Sequence, residues 1–387
     1  MRVGHIVRKI LGPCLDVVHA ARLAALCAVV EAVIRARRAS IAAMGRALEG
    51  GAAPKHGIKR VDRLLSNGRL QIERAAYFGA IAAYLLRKIR RPLIIVDWTQ
   101  AAGDLLALVA AVPIGGRAVP VYEEVHPLRK LGNARVQSRF LRNLHRVLPK
   151  GTTPIVVTDA GFHGPFFRAV LELGWDFVGR VRGTATAKSD DGTKFTKEEL
   201  YRRASPTARD LGWFQLYSWR EGVDARLVVV RSRRKPGRRR KSRSQDEAAI
   251  RRAARDPWLL ATSLAKGNAD RIVSIYSRRM QIEEAFRDAK NHRFGWSFRH
   301  VTTDSPQRLD ALLLVVILGM LVATQVGRAM ELSGRHRAYQ ANTASKRVLS
   351  FFVLGVAAIH RRERVPHSAL TAALRKMRIA TTAANSQ

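Results

Sequence analysis

The chain is 387 residues long and 47% hydrophobic, enough for two or three cores, and no repeat of fixed period runs through it. Its 69 Lys plus Arg against 30 Asp plus Glu give a formal net charge of +39, unlike surfaces charged for solubility, which are acidic or mixed in sign. Such an excess repels itself in the compact state until a polyanion neutralises it, so a nucleic acid or an anionic membrane surface is expected as partner.

Residues 1 to about 90 read as helices. The first thirty put basic residues ahead of an apolar stretch, but Asp16, His19 and Arg22 interrupt it, which argues against a signal peptide. Cys14 and Cys27, the only cysteines, sit in apolar helical context and are expected as free buried thiols of a reducing, cytoplasmic compartment. Helical patterns span 16–40, 41–50, 58–68 and 72–89, with a Gly and Pro break between the second and third.

From Pro92 the pattern changes to strands at 93–97, 104–113 and 117–125, a helix near 133–148, a strand at 154–158, a helix near 164–173 and a strand at 176–182. Two of the apolar runs end in an acid: LIIV leads into Asp97, and PIVV leads through Thr158 into Asp159. A carboxylate closing a strand buried on both faces costs too much desolvation to be a packing choice, whereas a divalent cation would compensate it. A helix cap or turn would account for either Asp taken alone.

A stretch of roughly 80 residues follows, in which WFQLYSW at 213–219, ARLVVV at 225–230 and WLLATSL at 258–264 read as strands. Between them RSRRKPGRRRKSR, 231–243, holds nine basic and no acidic residues, so it is expected to stay disordered until it meets phosphate, as a DNA-binding arm or as a solvated tether.

Next comes a polar series, Tyr276, Arg279, Glu283, Arg287 and Lys290. On one helix turning about 100° per residue, Tyr276, Arg279, Glu283 and Lys290 fall within about 60° of one another with Arg287 beside them. Ile272, Ile275, Met280, Ile282 and Phe286 would hold that helix to a core; a charged surface helix with pairs such as Glu283 and Arg287 is the plain alternative. Three carboxylates suit phosphodiester chemistry, because two Mg²⁺ about 3.5 to 4 Å apart can activate the nucleophile and stabilise the leaving oxygen, each taking one or two acidic ligands. No His or Cys cluster has zinc spacing.

The segment 311–323, ALLLVVILGMLVA, is apolar on every side but follows Arg308 and Asp310. Its rise of about 20 Å falls short of a hydrocarbon slab of roughly 30 Å, so a buried core helix is expected. Helices at 336–360 and 366–378 close the chain, with LSFFVLGVAAI as an apolar face for a partner.

The spacing of Tyr276, Arg279, Glu283 and Lys290 within YSRRMQIEEAFRDAK, preceded by Asp97 and Asp159, resembles the signature of the IS4-type DDE transposases over roughly residues 55–330. The resemblance implies an α/β fold with a ribonuclease-H-like catalytic core at 91–182 and 266–330 and a β-rich insertion carrying the basic loop at 183–265. Flanking these it implies a helical DNA-binding region at 1–90 and a helical region at 331–387 that pairs protomers. Three antiparallel strands, a crossover helix and a further strand match such a core, in which the ends of the first and fourth strands meet and Asp97 neighbours Asp159.

By the same resemblance Asp97 bridges two Mg²⁺, with Mn²⁺ as substitute, and Asp159 and Glu283 each complete one ion. Tyr276, Arg279, Lys290 and Arg287 grip the terminal nucleotides, while Lys55, Lys59, Arg60 and Arg63 contact phosphates of the transposon end. Trp258 stacks on a base extruded when the end becomes a hairpin, its alternative being a core tryptophan. One departure is Ala160, where many relatives carry a basic residue after the second Asp. The implied activity is metal-dependent cut-and-paste transposition of an insertion sequence by a homodimer joining transposon-end DNA to target DNA, at the bacterial nucleoid and with no membrane. A ribonuclease-H-like nuclease that only hydrolyses DNA, a DNA-binding protein with an idle metal site and a membrane-surface protein stay open as alternatives.

Overall fold

A computed structural model describes residues 3–87, 89–183, 186–217, 222–231, 256–291, 296, 301 and 303–383. Two compact units result: Met1–Thr152 with Met280–Ser386, and Thr153–Arg279.

The first unit opens with α1 (Val3–Ile10), α2 (Ala20–Ala36), α3 (Ile41–Ala47), α4 (Pro54–Leu65) and α5 (Gly68–Leu86). Ser40 caps α3 through the Ala43 amide, and Asn67 caps α5 through Arg69 and Leu70, each satisfying amides that the first helical turn leaves without a partner. Helices α3 and α4 touch backbone to backbone at Gly45 and Gly57, where a methyl group on Gly57 would stand 2.2 Å from the Gly45 carbonyl oxygen. That contact turns Val61, Leu64 and Leu65 inward.

An antiparallel sheet follows, β1 (Leu93–Ala102), β2 (Leu105–Ile114) and β3 (Arg117–Pro127), with β2 in the middle. Every residue of β2 is buried, as its unbroken apolar sequence requires. The β2–β3 connection is Gly115–Gly116 with φ of 59° and 88°, the two-residue turn whose left-handed backbone suits glycine. Helix α6 (Ala134–Val147), capped by Asn133, buries Phe140, Leu141 and Leu144.

The second unit runs β4 (Ile155–Thr158), α7 (Gly164–Glu172), β5 (Asp176–Arg180), β6 (Thr186–Lys188), β7 (Lys194–Thr196), α8 (Lys197–Arg202), β8 (Arg209–Leu216), β9 (Val223–Val230), β10 (Trp258–Thr262) and α9 (Ala269–Ser277). Its strands follow the order β4-β5-β10-β9-β8-β6-β7, parallel between β4 and β5 and antiparallel thereafter. The strands expected near 213, 225 and 258 therefore continue the sheet of β4 and β5, joined through the pairing of Leu260 with Arg180. The short β6, β7 and α8 carry too few apolar residues to show a period in sequence.

The first unit resumes with α10 (Met280–Lys290), α11 (Pro306–Leu332), α12 (Phe351–His360) and α13 (His367–Ala383). Three expectations are corrected here. A single helix from Ile272 to Lys290 was expected, but the chain breaks at Arg278 and Arg279. Their amides bond back three residues, to Ile275 and Tyr276 at 3.2 and 2.9 Å, tightening the last turn of α9 and ending it. Helix α11 has 27 residues and is long and apolar enough to cross a membrane, so the expected shortness does not hold. Burial gives the stronger argument for a core helix, since 89% of its most apolar 18-residue stretch is covered by the protein. The helix expected over 336–360 starts at Phe351. Before it, the Gln340 amide donates to the Ala344 and Lys346 carbonyls and accepts from the Val348 amide, holding a loop in place of a helix.

Candidate active site

In β1 the four residues before Asp97 are fully buried, and Asp97 is the first to be half-exposed. Register sets the direction of its side chain. Asp97 lies opposite Val109, which lies opposite Glu123, and two residues on Thr99 lies opposite Ala107. Side chains alternate along a strand, so Asp97, Thr99, Val109 and Glu123 share one face. That face is covered by Phe286 and Lys290 of α10 and by Val316 of α11, which line one cavity with Thr99, Val109 and Glu123. Trp98 and His126 point to the opposite face, their rings 5.8 Å apart.

The Lys290 Nζ donates to Thr99 Oγ1 at 2.7 Å and lies 5.7 Å from the Phe286 ring centre. Glu283 stands seven residues before Lys290, about 10 Å along the axis and roughly 20° around it, on the same stripe of α10. Within the first unit, then, the stripe bearing Glu283 is the one that α10 turns to the face bearing Asp97. Glu283 lies in the first turn of α10, where the helix dipole favours an anion, and is half-buried. Arg287 projects elsewhere: its side chain is 66% exposed and pairs with Glu284 at 2.9 Å.

Asp159 belongs to the second unit. It follows β4, half-exposed, and its Oδ1 accepts from the Gly161 amide at 2.8 Å, an Asx turn that lifts the chain off the strand. Close to it is an aromatic and cationic group in the same unit. Tyr276 is buried with its ring 5.0 Å from that of half-buried Trp258 in an edge contact. Burial raises the Tyr276 hydroxyl above its ordinary pKa, the Arg279 and Arg180 charges oppose that rise, and the Asp159 charge adds to it. Arg180, which ends β5, donates through Nη2 to the carbonyls of Asp256 and Pro257 at 3.2 and 3.4 Å. Desolvation lowers the Arg180 pKa. Among the described residues its Nε and the Tyr201 hydroxyl are buried without a hydrogen-bond partner, an unused donor capacity suited to an anion. Sequence reasoning missed Arg180 and Tyr201; a basic residue closing the apolar run DFVG was the available signal.

The tertiary arrangement thus divides the expected site residues. Asp97, Glu283, Arg287 and Lys290 lie in the first unit, and Asp159, Trp258, Tyr276 and Arg279 in the second. Among the described residues no group of three or more His, Cys, Asp or Glu side chains could hold a metal ion. The donors nevertheless fit Mg²⁺ or Mn²⁺ in kind. All are carboxylate oxygens at half-exposed positions, and Mg²⁺ takes only one or two carboxylates while keeping waters and substrate phosphate oxygens as its other ligands.

On α4 the cations Lys55, Lys59, Arg60 and Arg63 are all exposed. Asp62 between them pairs with Arg308 at the start of α11 at 2.7 Å, an interaction that lowers its pKa and fixes the helix. The basic run 231–243 lies outside the described residues apart from Arg231.

Residues 128–320 match the family model of the transposase DDE domain. The match takes in Asp159, Trp258, Tyr276, Arg279, Glu283 and Lys290 and begins after Asp97. It supports a DDE transposase. No curated protein matches the chain.

Proposed function

From the transposase DDE domain as premise, we propose that this chain is an IS4-type transposase that cuts the ends of an insertion sequence and joins them to target DNA. Asp97, Asp159 and Glu283 are its metal-holding carboxylates, and its catalytic core is ribonuclease-H-like. Most of the support comes from the first unit, where the half-buried Asp97 follows the four buried residues that open β1, on the face covered by the Glu283 helix. When bound, two divalent ions supply an activated oxygen nucleophile and a stabilised leaving oxygen. Asp97, Asp159 and Glu283 would hold these ions through their carboxylate oxygens.

The remaining residues hold DNA. Arg279 and Lys290 each neutralise a phosphate near the scissile bond, Arg279 with a planar fork and Lys290 as a point charge held by Thr99. Tyr276 donates to a third phosphate oxygen, and Trp258 stacks on a base displaced when the 3′-hydroxyl attacks the opposite strand to form a hairpin. Exposed Lys59, Arg60 and Arg63 contact the transposon end, and two protomers bring two ends together.

The test uses duplexes made from the DNA that flanks the coding sequence, with Mg²⁺ and supercoiled plasmid. A transposase nicks them and then joins the freed 3′ end to the plasmid. Hydrolysis without joining would instead indicate a nuclease, and binding without nicking an idle DNA-binding protein. Asp97→Ala, Asp159→Ala and Glu283→Ala should each abolish nicking with end binding retained, and full nicking by any one removes that residue from the catalytic set.

A further inference from the structure

Asp288 lies five residues beyond Glu283 on α10 and outside the active-site stripe. One of its oxygens joins three elements. Asp288 Oδ2 accepts from Arg117 Nε at 2.8 Å and from Ser350 Oγ at 2.7 Å, with the aspartate side chain only 15% exposed. Arg117 is the first residue of β3. Ser350 is the N-cap of α12, and its Oγ also accepts from the Val353 amide at 3.3 Å. The hydroxyl of one residue therefore both caps α12 and ties that helix to α10.

Five residues of helix turn Asp288 about 140° away from Glu283 and about 7.5 Å along the axis. It therefore cannot act beside Glu283, but it ties the helix that carries it to β3 and to the start of α12. The Lys290–Thr99 hydrogen bond anchors α10 to β1 on the stripe shared with Glu283. Anchors at different angles around the helix oppose its rotation, and Arg117 Nη2, 3.9 Å from Glu284, adds to the Asp288 side of α10. With a carboxylate about 7 Å from the helix axis, losing one anchor and turning about 20° displaces that group by roughly 2.4 Å, and misplacement by about 1 Å already costs on the order of 100-fold in rate.

We propose that Asp288 is a positioning residue for Glu283, and that through Ser350 it makes the placement of that carboxylate depend on the docking of α12. The inference rests on the catalytic reading of Glu283 given above. Any event that shifts α12, such as pairing of the C-terminal helices with a second copy, would reach the active site through Asp288.

The full chain is compared as wild type, Asp288→Ala, Asp288→Asn and Arg117→Met, the last sparing the α12 cap. Amide hydrogen exchange over residues 280–290 is measured on metal-free protein, and nicking of supercoiled plasmid carrying the flanking DNA is followed as a function of Mg²⁺ and DNA concentration. Asp288→Ala should speed exchange in α10 by about 10-fold or more. It should lower the nicking rate at saturating DNA by about 100-fold and raise the Mg²⁺ requirement, with DNA affinity within about twofold of wild type. Asp288→Asn keeps an acceptor oxygen and should recover most of both, and Arg117→Met should fall between.

Unchanged exchange and rate in Asp288→Ala overturn the proposal. So does a parallel loss of DNA affinity, rate and thermal stability, which marks a general fold defect. If wild type does not nick at all, the catalytic reading of Glu283 fails, while exchange still decides whether Asp288 anchors the helix.

Discussion

Replacing Arg74 by Met removes a charge from beneath the sheet that carries Asp97 while keeping the apolar stem. Arg74 reaches from α5 to Glu123 on β3 and to Asp310 on α11, its Nη2 lying 2.5 Å from Glu123 Oε1 and 3.2 Å from Asp310 Oδ1. The Glu123 side chain is 0% exposed and its second oxygen has no hydrogen-bond partner among the described residues, while Asp310 also accepts from the Val125 amide at 2.9 Å. Burial pushes the Glu123 carboxyl well above the usual carboxylate range and raises Asp310 from 3.8 to about 6, in both cases against the pull of Arg74. Without the guanidinium, two buried acids lose the cation they share. Breaking a buried pair in this way costs about 3–5 kcal/mol. For a unit of this size that corresponds to a fall of about 6–20 °C in melting temperature at pH 8.

The pH dependence follows from the sign of these shifts. A carboxyl that titrates higher in the fold than in the unfolded chain binds more protons when folded. The contribution of Asp310 is therefore complete below about pH 4 and lost as pH rises through about 6. In Arg74→Met both acids take up protons more readily still, so the loss at pH 5 should be smaller than at pH 8, and adding Glu123→Gln should restore at least half of it. Thermal unfolding followed by circular dichroism at the two pH values checks this. An unchanged melting temperature at pH 8, or a larger loss at pH 5, refutes the buried-charge argument.

Trp258→Ala should slow hairpin formation by about 5- to 150-fold with nicking retained, since stacking on an unpaired base is worth about 1–3 kcal/mol; an unchanged hairpin rate on gels would make Trp258 a packing residue for Tyr276. Replacing Lys59, Arg60 and Arg63 together by Ala should flatten the dependence of log affinity on log salt by about 2.7, roughly 0.9 for each lost phosphate contact. Fluorescence anisotropy from 50 to 200 mM salt measures that slope, and a slope equal to wild type would remove α4 from the DNA interface.

The strands that lead into Asp97 and Asp159 were legible in sequence because burial leaves a one-dimensional trace. LIIV and PIVV are apolar without alternation, and an acid at the end of each stands out against them. The Tyr276 to Lys290 series was legible as spacing, but not the break at Arg278 and Arg279, because both halves keep a helical pattern and nothing in the two arginines forbids a helix. Nor did the chain announce Arg74, Glu123 and Asp310, or Asp288, Arg117 and Ser350. Each set draws on three segments far apart in the sequence, and a lone acid or base among 99 charged residues carries no mark of its partner.

Sequence by itself offered the residues proposed for the chemistry, and determined the excess of positive charge that calls for a polyanion and the local elements whose periods are short enough to read. Only the tertiary structure decided that the helix of Glu283 covers the face of the sheet that bears Asp97, that Lys290 is held by Thr99, and that the expected core helix runs to 27 residues. The division has a physical cause. Periodicity and composition act over a few turns of chain, whereas register, ion pairing and burial are relations between segments that exist only once the chain has closed on itself.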